Sequence, residues 1–164
     1  MKLASAKILS REEMKQERAR LKAAGKKVSF TNGCFDIIHA GHVDYLQWAR
    51  NQADALIVGL NSDASVRRNK GDKRPIVDEH DRAYVLAALA CVDYVVLFDE
   101  DEPAQLIADI VPDVLVKGED WAHYVSGRET VEAAGGRVAL APLVEGRSTS
   151  NLISKIVDVY GGTD

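Results

Sequence analysis

The sequence predicts a doubly wound α/β domain: a five-stranded parallel sheet with helices on both faces. Three features carry that expectation. Apolar runs of strand length alternate along the chain with stretches of helical spacing, the pattern of successive βα units. One such run, Ala55-Leu-Ile-Val-Gly-Leu60, is apolar throughout, as a strand covered on both faces requires. The stretch Thr31-Asn-Gly-Cys-Phe-Asp36-Ile-Ile-His39-Ala-Gly-His42 joins a short strand, Val28-Ser-Phe30, to a helix through a glycine-containing turn. Ligands settle at such junctions on open α/β sheets, and the free amides of a helix start favour phosphate.

In order, residues 10–24 read as a helix, with Ser10 as cap and Glu13 in capping-box register. Its apolar stripe (Met14, Ala19, Leu21, Ala24) is sparse, so residues 1–26 are expected to form an N-terminal helical extension on the outside of the domain. Gly25 stops the helix, and residues 27–31 form the first strand. After the glycine turn, Val43, Leu46, Ala49 and Ala53 recur at helical intervals, and 55–60 is the second strand. Asn61-Ser-Asp63 caps a short helix to about Arg68. A polar, basic loop follows, Asn69-Lys70-Gly-Asp-Lys73-Arg74-Pro75. Asp78 caps a helix over 79–90, with Val85, Leu86 and Leu89 expected to face inward.

Residues 94–98 form the third strand, and Pro103 opens a helix over 104–111. The fourth strand, 114–116, ends at Lys117-Gly118; a helix over 128–134 closes at Gly135-Gly136, and 138–143 is the fifth strand. Ser148-Thr149-Ser150 opens a last helix to about Val159.

The 164 residues suit a single domain spanning 1–164, large enough to bury a core without a staple. A formal net charge of −4 argues against a nucleic-acid partner, so any phosphate site has to be a local basic cluster. The two cysteines, Cys34 and Cys91, lack metal-ligand or disulfide-scaffold spacing, which fits a reducing compartment. Met1-Lys-Leu-Ala-Ser5 lacks the apolar run of a secretory signal, and the longest apolar stretch, 85–98, is interrupted by Asp93. A cytoplasmic protein without a membrane partner is expected.

His39 and His42 flank Gly41 at the strand-to-helix corner, a spacing that aims both imidazoles at one point while glycine admits close approach. Two such donors suit charge developing on a phosphoryl group in transfer. The spacing alone leaves open two surface histidines or, as a third option, a pair of metal ligands.

The same residues carry a resemblance. Thr31-Asn-Gly-Cys-Phe-Asp36 with His39-Ala-Gly-His42 resembles the signature of the cytidylyltransferase-like nucleotidyltransferases, with their H-x-G-H motif. The likeness continues through Gly59-Leu-Asn-Ser-Asp63, Lys70, Arg74-Pro-Ile76, Asp81-Arg82, Val116-Lys-Gly118 and Glu145-Gly-Arg-Ser-Thr-Ser150. That set is most similar to the adenylyltransferases acting on D-glycero-β-D-manno-heptose 1-phosphate, in their stand-alone form. The resemblance implies a Rossmann-like fold and transfer of AMP from ATP to the sugar 1-phosphate, with release of pyrophosphate and formation of an ADP-sugar for surface-glycan synthesis. It also implies Mg²⁺ accompanying ATP, with no protein metal site, and a homo-oligomer. Two other readings stay open: a cytidylyltransferase for glycerol 3-phosphate or a related polyol phosphate, and a non-catalytic nucleotide-binding sensor.

Carried over by position, the resemblance makes His39, His42 and Lys70 catalytic. It places Thr31, Asn32, Gly33, Phe35, Gly41, Lys117, Gly118, Trp121, Ser148, Thr149 and Ser150 around the nucleotide and its phosphates. Asp36, Asp63, Arg74 and Arg82 become candidates for the acceptor side, with Asp36 open to a metal contact or a buried supporting role and Arg82 to a structural ion pair. Arg147 stands where the family commonly has a hydrophobic residue or tyrosine, which leaves a phosphate contact there open.

Overall fold

The computed structural model describes residues 2–142 and 148–162. Leu143, expected to end the fifth strand, and Arg147 lie outside the described residues. The strands are β1 (Val28–Gly33), β2 (Ala55–Asn61), β3 (Tyr94–Phe98), β4 (Val114–Gly118) and β5 (Arg137–Ala141). The helices are α1 (Arg11–Ala23), α2 (Ala40–Arg50), α3 (Asp63–Lys70), α4 (Glu79–Ala88), α5 (Ala104–Ile110), α6 (Arg128–Ala133) and α7 (Thr149–Tyr160). All strands pair in parallel in the order β3-β2-β1-β4-β5, so the expected α/β architecture is the one observed.

That order reverses direction between β1 and β4, which makes their C-terminal ends the switch point of the sheet. Pairing of β1 with β2 runs out to Gly33 opposite Leu60, and pairing of β4 with β5 to Gly118 opposite Ala141. Pairing of β1 with β4 stops earlier, at Phe30 opposite Leu115. Beyond those residues the two central strands part, and a split opens at the switch point.

Side chains alternate across the pleat into two apolar layers. Phe30, Ile57, Val96 and Leu115 pack against Met14, Leu106, Ile107, Ile110 and Val131 of α1, α5 and α6. Leu56, Val58, Val95 and Val116 pack against Leu46, Ala49, Ala83 and Leu86 of α2 and α4. The outer edge of β3 is covered by the N-terminal segment, where Ile8 bridges to Val95 and Leu9 N–H donates to the Val95 carbonyl (2.9 Å).

Several elements differ from the sequence expectation. Helix α1 has the expected capping box, with Ser10 accepting from Glu13 N–H, but it is part of the core rather than an outer extension. Met14 and Leu21 are buried, and between them Arg18 donates to the carbonyls of Ile110 and Val111 and pairs with Asp113 at 3.1 Å. Helix α2 ends at Arg50 instead of continuing to Ala53, and α3 extends to Lys70, so that lysine sits on a helix end rather than in the loop. Leu86 faces inward as expected, whereas Val85 is exposed because the buried phase of α4 is Arg82, Ala83, Leu86 and Ala87. Helix α7 buries none of its residues.

Candidate active site

β1 delivers its last residues, Thr31-Asn32-Gly33, to the split, and the loop after it turns at Phe35. Phe35 holds a left-handed backbone (φ 42°), sparsely populated for a side chain of this size. Its ring is buried and stands edge-on to His42, centroids 5.4 Å apart. The same ring explains Gly33: a Cβ there would lie 2.9 Å from Phe35 Cε2. Phe35 is thus the wall behind the histidines.

His39 is the N-cap of α2, and the two histidines form a reciprocal capping box in which imidazoles replace the usual hydroxyl and carboxylate. His39 Nδ1 accepts from Gly41 N–H (3.1 Å), and His42 Nδ1 lies 3.4 Å from His39 N–H. The rings stack with centroids 3.9 Å apart and planes at 29°. A backbone N–H can only donate, so each Nδ1 is an acceptor and the proton of the neutral ring belongs on Nε2. Burial, with a smaller contribution from His39, pushes the His42 imidazole down to about 4. At neutral pH His42 is then an uncharged donor through Nε2–H at the positive end of α2, a polarity suited to developing phosphoryl charge.

Lys70, exposed at the end of α3, is close enough for its charge to act on the Cys34 thiol, which burial otherwise pushes up. Lys117, at the end of β4, donates to Asn32 Oδ1 across the split. Trp121 is half-exposed on the short turn Glu119–Trp121, its ring near-parallel to His123 at 6.2 Å. Gly118 ends β4 beside it. Ser148 caps α7, its hydroxyl accepting from Asn151 N–H at 3.1 Å, with Thr149 and Ser150 in the first turn.

The acceptor-side candidates form the frame beneath this corner. Asp36 has a fully buried side chain that accepts from the amides of Ile76 and Val77 (both 2.9 Å) and from Arg74 Nε (2.6 Å). Burial alone would push its carboxyl up; the Val77 and Ile76 amides and the Arg74 guanidinium outweigh that and hold it below the ordinary range. Asp36 is therefore a buried support that pins the Arg74–Val77 segment to the β1 loop. Arg82 is fully buried and donates to the carbonyls of Val77 (2.9 Å), Cys34 (2.6 Å) and Asn61 (3.0 Å) and to Asp63 Oδ1 (2.7 Å). Its guanidinium ties the ends of β1 and β2 to the start of α4, and Asp63 is its counter-ion. These contacts favour a strut over a ligand for both residues. Thr31 is likewise buried, its hydroxyl 2.6 Å from that of Tyr45, so any part it takes in cradling phosphate falls to its backbone.

Tyr45 was not among the sequence candidates. Its hydroxyl meets Thr31 and donates to the Val116 carbonyl (3.3 Å), spanning β1 and β4 where their ladder has ended. The available cue is its place one turn after His42 beside core-facing Leu46, since a tyrosine buried on a helix needs a partner for its hydroxyl.

Asp36→Asn is expected to destabilise the fold by about 1.5–3 kcal/mol, the range for hydrogen bonds to a charged group. Because the folded carboxyl is held below its ordinary value of 3.8, its contribution is present above that pH and lost as pH falls through the lower folded value. Urea unfolding from pH 7 downward should show the gap between wild type and variant closing only under strongly acidic conditions.

The fold and this corner define a nucleotide-handling α/β protein with neutral and cationic donors at a helix start. A family model described as cytidylyltransferase-like matches residues 30–154, and the chain belongs to that family; it is a nucleotidyltransferase. Among named relatives, it is 60% identical over 141 residues to the bifunctional protein HldE of Geobacter metallireducens, and 61% identical over 143 residues to that of Citrifermentans bemidjiense. Those alignments cover 85% and 87% of this chain but 29% of each relative. Among solved structures, a lipopolysaccharide core biosynthesis protein from Thermoplasma volcanium is similar at a TM-score of 0.61 and 27% identity, covering 75% of this chain and 100% of that one.

Proposed function

We propose that the chain transfers AMP from ATP to D-glycero-β-D-manno-heptose 1-phosphate, releasing pyrophosphate and forming an ADP-sugar for surface-glycan synthesis. The observation that supports this most is the histidine pair at the start of α2 and the switch point, each Nδ1 turned to a backbone N–H and the rings stacked. The family, the HldE relatives and the heptose-type motifs supply the substrate class.

In this reading the sugar's phosphate oxygen attacks the α-phosphorus in line, and pyrophosphate leaves. The chain works by positioning and charge stabilisation, without a side-chain nucleophile. His39 and His42 donate to the α-phosphoryl oxygens as charge builds. Lys70 and the α7 start, with Ser148, Thr149 and Ser150, take the leaving phosphates; Gly41 admits them close to the backbone, and Gly118 with Trp121 faces the nucleoside. The Asp36 carboxylate is already engaged by Arg74 and the Ile76 and Val77 amides. Mg²⁺ accompanying ATP would be carried mainly by nucleotide oxygens, where it would neutralise triphosphate charge.

The same reading includes one domain over 1–164, a cytoplasmic setting without nucleic-acid partners, and a homo-oligomer of two or more copies. No helix among the described residues is long and apolar enough to cross a membrane.

The test is pyrophosphate release with ATP or CTP crossed against heptose 1-phosphate and glycerol 3-phosphate. Release with ATP and the heptose phosphate is expected. Preference for CTP with the polyol phosphate would reassign the substrates, and tight ATP binding without turnover on any pair would make the chain a sensor. Lys70→Ala should lower kcat roughly 10–100-fold, as loss of a charge-assisted contact does, with an unchanged Tm because the side chain is exposed. An unaltered rate would make Lys70 an ordinary solvated lysine.

A further inference from the structure

We infer that Lys117 is a positioning residue: its ammonium, reaching across the split between β1 and β4, fixes the Asn32 side-chain amide as a hydrogen-bond donor at the edge of the phosphate corner. The inference deepens the nucleotidyltransferase reading and rests on it.

Among the described residues, two side-chain links span the split where the β1–β4 ladder has ended: the Tyr45 hydroxyl between Thr31 and Val116, and Lys117 on Asn32. They differ in kind. The Tyr45 link joins groups already tied into strands, whereas the Lys117 link acts on a side chain with two chemically opposite ends. An ammonium has donors only, so the end of Asn32 facing it must be Oδ1. The Nδ2 hydrogens are then turned away from β4, at the end of the strand that leads into the histidine loop. An ionised phosphate oxygen accepts and does not donate, so an amide presented the other way round would repel it.

The surroundings of Lys117 favour this part over direct contact with a triphosphate. The side chain is largely buried, and Glu102, from the segment before α5, and Asp120, on the short turn after β4, are close enough for their charges to act on it. Glu102 is itself held in place, its Oε2 accepting from Tyr124 Oη (2.8 Å) and Ser126 Oγ (3.1 Å). Among the described residues, the one hydrogen bond of the Lys117 ammonium goes to Asn32, and the charges of Glu102 and Asp120 act on it from nearby. Burial also pushes the Lys117 ammonium down to about 8, with Glu102 and Asp120 opposing the shift. The link is complete below that pH and weakens as pH rises through it, because a neutral amine accepts as well as donates and no longer dictates which end of the amide it meets.

The experiment is a double-mutant cycle on the full chain with Lys117→Met, Asn32→Ala and both together, read as kcat/KM and separately as ATP affinity by titration calorimetry. Each single change should cost roughly 10–100-fold, as one charge-assisted contact does. The double variant should lose no more than Asn32→Ala alone, because Lys117 acts only through Asn32. Losses that multiply, or a Lys117→Met variant with wild-type values, would overturn the inference. Should Lys117→Met fail to fold, the pH profile of Asn32→Ala decides. The alkaline fall near pH 8 in the wild type should vanish in that variant, and its persistence would mean Lys117 touches the substrate itself. Absence of turnover in the unaltered chain would count against the nucleotidyltransferase reading, and the cycle in ATP affinity would still decide for or against the Lys117–Asn32 link.

Discussion

His42→Ala is expected to lower kcat roughly 10²–10³-fold, the cost of removing one preorganised donor from a developing oxyanion, while the protein stays folded. The structural loss is small. His42 is only half-buried, and its Nδ1 contact to the His39 amide is long at 3.4 Å. What disappears is an uncharged donor whose tautomer was fixed by the helix start and whose ring was held between His39 and Phe35. Pyrophosphate release measured beside a thermal melt separates the two effects. A variant retaining most of its rate would mean that the imidazole pair does not stabilise the transferring phosphoryl group.

The largest stability effect is expected at Arg82. Arg82→Ala leaves the carbonyls of Cys34, Asn61 and Val77 and the Asp63 carboxylate without their donor in a buried setting. Removing one partner of a buried ion pair costs about 3–5 kcal/mol, which for a chain of this size lowers Tm by roughly 6–20 °C. Arg82→Lys should recover little of it, since an ammonium does not reproduce the planar fork that reaches four acceptors on three segments. A melt at the wild-type temperature combined with a raised KM for the acceptor would instead return Arg82 to the substrate.

The same two residues show which parts of the fold and site were legible in the sequence. The strands and their parallel class could be read from local pattern, because runs such as residues 55–60 are apolar whichever neighbour they find. The H-x-G-H pair was equally local, since a strand, a glycine turn and a helix start place both histidines without reference to the rest of the chain. Arg82 was half-legible: it lies one turn before Leu86 on the buried phase of α4, as Arg18 lies between Met14 and Leu21 on α1. The structural ion pair left open for Arg82 is the one found, whereas Arg18 is hidden in a helix whose apolar stripe is sparse, although a buried guanidinium with carbonyl partners obeys the same periodicity as leucine.

The split and its links could not be read locally. Asn32 and Lys117 are far apart in sequence, and their meeting depends on strand order and on where one ladder ends. Local pattern specifies neither. The sequence motif also does not say whether Asp36, Asp63 and Arg74 frame the phosphate corner or touch the phosphate, because both parts call for the same chemistry.

The central claim is a single in-line displacement at the α-phosphorus, organised by donors at the start of α2. Its most direct test is the stereochemical course with ATP carrying one sulfur at the α-phosphate in a single diastereomer, and heptose 1-phosphate as acceptor. One displacement without an enzyme-bound intermediate predicts an ADP-sugar with inverted configuration at that phosphorus. Retention would require two displacements through a covalent nucleotidyl-enzyme, and would contradict the account.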